Sequence, residues 1–151
     1  MQKKWTFYVF ATLFILTSCG GEKEKGLGKY GMLDESTPEY AAVRFMTSIY
    51  QDDNIDAAVS LSTPKMARIL SRYHTNRNVQ RHLLNLKFDT VEITPEERSR
   101  VGRSEFSEKA TITLFFSGTL NANKQEDLRR VDLVRENGQW LVARIHPDHF
   151  M

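Results

Sequence analysis

The sequence predicts an α+β protein in which three N-terminal helices pack on a curved antiparallel sheet of about four strands. Two observations predict this fold. Apolar residues recur at helical spacing over residues 36–86, whereas over residues 88–145 they alternate with polar residues. Within the second region, Asn137-Gly138 separates two alternating segments and is the strongest short hairpin signal.

Cap and proline signals mark where the helices begin. Ser36 and Glu39 have capping-box spacing, and Thr37-Pro38 places a cap residue before a proline, so both predict a first helix here. Asn54 is placed to cap a short second helix, and Thr63-Pro64 repeats the cap-and-proline signal for a third. Further helical turns are predicted after Thr75-Asn76. The apolar stripes of the first and third helices are Ala42, Phe45, Met46, Ile49 and Tyr50, and Met66, Ile69, Leu70 and Tyr73.

The strands follow from the change to a period of two. The predicted strands are residues 88–94, ended by Pro95, then 105–117, 128–136 and 139–145. A charged loop over 96–104 joins the first two, and residues 118–127 are predicted to be a polar connection. Side chains predicted for the buried side of the second strand are Phe106, Ala110, Ile112, Leu114 and Phe116.

The final hairpin has two different sides. Trp140 lies on the side of Leu133 and Val142, so that side is predicted to face the core. The other side carries Val134, Leu141, Ala143 and Ile145 and is more apolar than a solvated face. Two alternatives for what buries this side remain. A second copy of the sheet packs on it, which makes these residues a candidate dimer face, or Tyr30, Met32 and Leu33 fold back over it.

The first nineteen residues have the layout of an export signal. Lys3 and Lys4 precede an uncharged run, Trp5 to Ser18, that is shorter than the about 20 residues of a membrane-spanning helix. The run ends in Leu16-Thr17-Ser18-Cys19, which resembles a bacterial lipobox. The resemblance implies that residues 1–18 are removed as a signal peptide and that Cys19 is acylated, with residues 19–36 as a flexible linker. Gly20, rather than Asp, then favours the periplasmic side of the outer membrane.

The net charge and its distribution along the chain limit the classes of binding partner that are expected. Loss of Lys3 and Lys4 with the signal peptide leaves basic and acidic residues equal in number, so no nucleic-acid partner is expected. The charges are unevenly spread, because no acidic residue lies between Ala57 and Phe88. In that stretch Lys65, Arg68 and Arg72 share one helix face, and Arg77 and Arg81 repeat the spacing, which makes these five a candidate anion-binding face. The alternative is an ordinary solvated face with acidic residues opposite it in the fold.

Catalytic and metal signatures are weak. No Ser-His-Asp spacing, nucleophile elbow, phosphate loop or Cys-His pair is present, which weighs against an enzyme without deciding the question. Asp89, Asp132, Tyr50 and Tyr73 are the acids and hydroxyls considered for an interior site, and both tyrosines are interpreted as core residues. His146-Pro147-Asp148-His149 lacks further ligands for zinc, so neither a metal nor a cofactor is predicted.

The order of elements also resembles a known family. Thr37-Pro38-Glu39 at the first helix, Asp56-Ala57 in the second, and a final hairpin with Gly138-Gln139-Trp140 resemble the lipidated members of the nuclear transport factor 2-like superfamily, over residues 37–146 with 147–151 as a tail. That resemblance implies a cone open at one end. Three functions follow as hypotheses: a non-enzymatic, membrane-anchored envelope module that binds an envelope protein or itself, a small-molecule carrier or enzyme using the cone, or contact with anionic lipid or lipopolysaccharide through residues 65–81.

Overall fold

The computed structural model describes residues 34–96 and 107–146, which form several helices and one open antiparallel sheet. The helices are α1 Pro38–Gln51, α2 Asp56–Ser60, α3 Pro64–Ser71 and α4 Asn76–Asn78, which continues as a π-helix over Val79–Leu83. The strands are β1 Thr90–Pro95, β2 Lys109–Leu120, β3 Asn123–Glu136 and β4 Gln139–Ile145, in the order β1-β2-β3-β4. In this part of the chain, no helix combines the length and apolarity needed to cross a membrane.

Several sequence predictions fall outside the described residues. They concern the export signal, Cys19 and Gly20, the linker with Tyr30, Met32 and Leu33, the loop over 97–104, Phe106, and the tail that begins at Pro147.

Threonine caps set the starts of α1, α3 and α4, whereas α2 begins after Ile55 without a side-chain cap. Thr37 is extended, with φ −90° and ψ 148°, and its Oγ1 accepts a hydrogen bond from the Tyr40 backbone N at 3.3 Å. Thr63 Oγ1 accepts one from Met66 N, and Thr75 Oγ1 accepts one from Asn78 N. A proline follows Thr37 and Thr63 because the first helical position needs no N–H donor. Of the two predicted starts for α1, the structure uses Thr37 and not Ser36.

The core lies between α1 and the sheet. α1 contacts all four strands and buries the predicted stripe, with Phe45, Met46 and Ile49 fully enclosed. The sheet contributes the predicted alternating side chains of β2, and Val131, Leu133 and Val142 from the last two strands. The choice of the Leu133 and Val142 side as the core side is confirmed.

The predicted polar connection over residues 118–127 is wrong. β2 and β3 form one long hairpin paired as far as Leu120 and Asn123, and Asn121 and Ala122 make the turn with φ of 50° and 63°. Asp89 helps to hold this turn, since its Oδ2 accepts a hydrogen bond from Asn121 N at 2.6 Å. The outer half of this hairpin carries few apolar side chains, so the alternation that reveals a strand in a sequence is missing there.

The second hairpin confirms the predicted turn and contains an irregularity that the sequence did not reveal. Asn137 and Gly138 both have positive φ, 51° and 83°, and Leu133 pairs with Val142 as predicted. A bulge then shifts the register, so that Asp132 pairs with Arg144 and Ala143 is the extra residue. Ile145 therefore pairs with the buried Val131 and packs against the core, which corrects its predicted place on the face of Val134 and Leu141.

The edge of β4 is covered by the segment between α2 and α3. Thr63 N donates to the Val142 carbonyl at 3.0 Å, and Val142 N donates to the Leu61 carbonyl at 2.9 Å. These two bonds form a short parallel bridge centred on Ser62 and Val142. The bridge fixes the start of α3 beside the sheet and satisfies backbone groups that an open edge exposes.

Candidate functional site

A buried ion pair lies on the helix-facing side of the sheet. The Arg129 side chain extends from β3, is 4% exposed, and places its Nη1 2.6 Å from Asp127 Oδ1. Its Nε and Nη2 donate to the Leu84 carbonyl at 3.3 and 3.2 Å. A guanidinium presents several fixed donors, so it can bind a carboxylate and a carbonyl together. Arg129 thus connects the end of the π-helical segment to β3.

Tyr50 lies near this ion pair at the end of α1. Its hydroxyl donates to the Leu86 carbonyl at 2.8 Å, and its ring packs edge-on against Phe88 and Phe116 with centroids 5.9 and 5.8 Å apart. Burial raises the pKa of Tyr50, and the nearby positive charge of Arg129 opposes that rise with a smaller effect. The hydroxyl therefore stays protonated and acts as a hydrogen-bond donor.

These polar groups hold the fold together. Asp127 accepts from Arg129, and Arg129 and Tyr50 both donate to backbone carbonyls, of Leu84 and Leu86. The structure agrees with the interpretation of Tyr50 as a core residue that has a hydrogen-bond partner. Sequence reasoning missed Arg129. The signal that could have found it is the period of two, which places residue 129 on the same side as Val131 and Leu133.

The predicted basic face lies on the exposed side of the helical half. Met66 and Leu70 form the buried side of α3. The five basic residues are exposed: Lys65, Arg68, Arg72, Arg77 and Arg81. Within residues 34–96 and 107–146, none of these five makes an ion pair. Their charge is therefore not neutralised by direct contacts with the described acidic groups.

The outer face of the sheet carries charges of both signs. Val134, Leu141 and Ala143 are half-buried there. In the backbone register of β3 and β4, Arg144 lies opposite Asp132. Asp132 Oδ1 accepts a hydrogen bond from Thr111 Oγ1 at 2.8 Å, and its Oδ2 lies 2.8 Å from His146 Nε2. This places Asp132 away from the interior, as its register predicted.

His146 and Asp132, whose side chains are of types that bind metals, are in contact on this face. In the described part of the chain, no group of three or more His, Cys, Asp or Glu side chains is close enough to hold a metal ion. The hydrogen bond between them fixes the imidazole against β3 at the end of the sheet.

Comparison with known proteins corrects the family resemblance. No family model matches the sequence, and no curated protein matches it. The chain is similar in structure to a SEC-C motif containing protein from Rhodopseudomonas palustris, with a TM-score of 0.53 and 16% identity over 76% of this chain and 81% of the other. The predicted membership of the nuclear transport factor 2-like superfamily is therefore wrong. A capped helix and a Gly-x-Trp hairpin recur in unrelated folds, so they did not identify a family. At 16% identity the similarity shows the fold alone.

Proposed function

We propose that this chain is a lipid-anchored module of the bacterial cell envelope that acts by binding through its surface. The anchor rests on residues 3–19 themselves. Two lysines, a short uncharged run and small residues before the only cysteine are the order of parts in an export signal that ends in an acylated residue. With Gly20 following Cys19, we place the module at the outer membrane, facing the periplasm.

One observation supports binding through the surface. Two polar side chains on the helix-facing side that could serve an interior site are already engaged: Arg129 with Asp127, and Tyr50 with the Leu86 carbonyl. An interior catalytic acid needs a reactive group directed at substrate. Here the Tyr50 hydroxyl is directed at a carbonyl and burial raises its pKa, so its role is to bind that carbonyl.

The anchor is tested by labelling the full chain in bacterial cells with a clickable palmitate analogue. We expect the wild type to be labelled and to appear at the size of residues 19–151, in the membrane fraction. Cys19→Ala loses the label because no other cysteine is present to accept lipid. Ser18→Ala is the matched control, since it keeps a small residue before the cysteine and retains the label. A labelled Cys19→Ala chain, or an unlabelled wild type, refutes the anchor.

Surface binding is tested by native mass spectrometry of residues 19–151 carrying Cys19→Ser. This chain contains every residue that the structure describes. We expect a mass without a retained small molecule. A persistent adduct that Phe45→Ala releases contradicts the proposal and favours a carrier. An adduct-free dimer that Leu141→Lys separates identifies Val134, Leu141 and Ala143 as the interaction surface.

A further inference from the structure

We infer that the basic face, defined as Lys65, Arg68, Arg72, Arg77 and Arg81, binds the anionic phospholipid headgroups of the bilayer in which Cys19 is anchored. The inference rests on the proposed anchor and names the partner of one surface of the module. It is carried by three features: the direction of these side chains, the separation of their charge from the acidic residues, and their distance from the anchor.

The direction of the α3 side chains is set by the core. Met66 and Leu70 point inward and are 3% and 0% exposed. Lys65, Arg68 and Arg72 follow the i, i+3, i+7 spacing of the opposite side and are exposed. Because α3 is fixed at its start by the bridge between Ser62 and Val142, its basic side is held in one orientation on the sheet.

Arg77 and Arg81 lie on the helical segment that follows the turn after α3. His74 makes this turn in the left-handed region, with φ of 62°, and Thr75 caps α4 directly after it. Both arginines are exposed, and Val79 between them is buried. Two consecutive helical segments therefore present basic side chains to solvent while their apolar residues pack inward.

Several acidic side chains of the described residues pair with groups outside the basic face. Asp52 pairs with Arg44 at 3.6 Å, Glu126 with Lys124, and Asp127 with Arg129. Asp132 binds Thr111 and His146. The chain is close to neutral after loss of the leader, but its charges are unevenly spread, because no acidic residue lies between Ala57 and Phe88, the stretch that contains the basic face. Such a separation favours an anionic partner on one side of the module rather than attraction in all directions.

The anchor explains why that partner is the membrane. Even fully extended, the chain from Cys19 to Thr37 spans at most about 60 Å, so the module stays beside its bilayer. Lys and Arg are attracted to an anionic bilayer within about one Debye length, roughly 8 Å at physiological ionic strength. The anchor supplies proximity, and the basic face then selects which side of the module touches the lipid.

The test uses residues 19–151 with Cys19→Ser, so that binding is measured without acyl chains. Sedimentation compares vesicles of phosphatidylcholine alone with vesicles in which a third of the lipid is phosphatidylglycerol, at low and physiological salt. One variant is Lys65→Gln with Arg68→Gln and Arg72→Gln. Its matched control is Lys109→Gln with Arg130→Gln and Arg144→Gln, which removes the same charges from exposed positions on the outer face. Circular dichroism melts confirm that both variants fold.

We expect the wild type to bind the anionic vesicles but not the phosphatidylcholine vesicles, and to dissociate as the salt concentration rises. The α3 variant lowers the partition coefficient at least about tenfold, whereas the outer-face control changes it less than about twofold. Equal losses in the two variants overturn the inference, because they reflect net charge and not a defined face. Absence of wild-type binding at low salt, or binding that salt does not weaken, also overturns it.

A further arm separates phospholipid from other anions. Inorganic phosphate or lipopolysaccharide at equal phosphate concentration is added to the anionic vesicles. If either displaces the protein completely at that concentration, phospholipid is not the preferred partner and the inference fails. Failure of the anchor is a separate result, because it is read from labelling of Cys19 and does not alter vesicle binding by the unacylated chain.

Discussion

Strand β3 carries two pairs of opposite charges, one on each side of the sheet. Asp127 and Arg129 face the helices, whereas Lys124 and Glu126 face outward. The nitrogen and oxygen atoms are 2.6 Å apart in both pairs. The side chains of Arg129 and Asp127 are 3% and 25% exposed, and those of Lys124 and Glu126 are 74% and 44% exposed.

The comparison shows that solvent, not distance, decides what an ion pair contributes. In water the attraction is screened and ordering two long side chains costs entropy, so an exposed pair adds little. A buried charge that loses its partner remains desolvated, and that loss is costly. The two sides of β3 should therefore respond differently to equivalent substitutions. The predictions below run from the largest expected effect to the smallest.

Gly118→Ala is expected to have the largest effect, on the helix-facing side. A Cβ there would overlap the Thr90 carbonyl oxygen and lie 2.9 Å from Phe88 Cδ1, so β1 must move away from β2. We expect the free energy of unfolding to fall by about 3 kcal/mol or more, measured by urea denaturation. Ser117→Ala, the next residue on the outer side, is the control and should cost less than about 0.5 kcal/mol. Equal losses at the two positions would show that the two sides do not differ.

Asp127→Asn tests the buried pair directly. The amide keeps the shape of the carboxylate but removes the negative charge that lies 2.6 Å from Arg129 Nη1. We expect the free energy of unfolding to fall by about 2 to 3 kcal/mol, at or below the lower end of the usual range of about 3–5 kcal/mol, because Asp127 is partly exposed. Replacing both residues, with Arg129→Met and Asp127→Leu, removes the buried positive charge as well and should recover part of the loss. A double variant no more stable than Asp127→Asn contradicts this account.

The sequence predicts features that depend on neighbouring residues correctly and misses features that depend on residues distant along the chain. The Thr37 and Thr63 caps and the Asn137-Gly138 turn were predictable because each depends on neighbours along the chain. The turn at Asn121 and Ala122 was missed because it lacks glycine and the strands beside it lack apolar alternation. The bulge at Ala143 was missed because it depends on how β4 meets β3.

The candidate sites divide in the same way. Spacing alone placed Lys65, Arg68 and Arg72 on one side of a helix, and the structure keeps them exposed. Whether acidic residues lie opposite them depends on the whole fold, so the sequence left both alternatives open. The period of two indicates the side of the sheet on which Arg129 lies, but its partner was inaccessible, because the Leu84 carbonyl that it binds is 45 residues away along the chain.

Tyr50→Phe removes one hydrogen bond from the helix-facing side without creating a charge. Loss of the bond to the Leu86 carbonyl should lower the free energy of unfolding by about 1 kcal/mol at pH 7. Tyr73→Phe is the control, because the Tyr73 hydroxyl makes no hydrogen bond to any described residue.

The same variant should alter stability at high pH. Burial raises the pKa of Tyr50, so the folded protein keeps the proton after the unfolded chain begins to lose it near about pH 10. The stability contributed by the neutral hydroxyl is complete below that pH and declines as pH rises toward the folded-state pKa. We expect the advantage of wild type over Tyr50→Phe to shrink above about pH 10. Denaturation curves at pH 8 to 11 measure it, and a constant difference would contradict the assignment.

Glu126→Gln should have the smallest effect, because it alters the exposed pair. The hydrogen bond from Lys124 lowers the pKa of Glu126, so what stability the carboxylate adds is present above its unfolded pKa and is lost as pH falls through the folded one. At pH 7 the melting temperature of Glu126→Gln should match the wild type within the scatter of repeated melts, in contrast to Asp127→Asn one residue later. Any small difference should disappear once the pH is below the folded-state pKa, because the carboxylate is then protonated in both states. A loss equal to that of Asp127→Asn would mean that the outer side of β3 is covered in solution, which favours a second copy on the Val134 and Leu141 face.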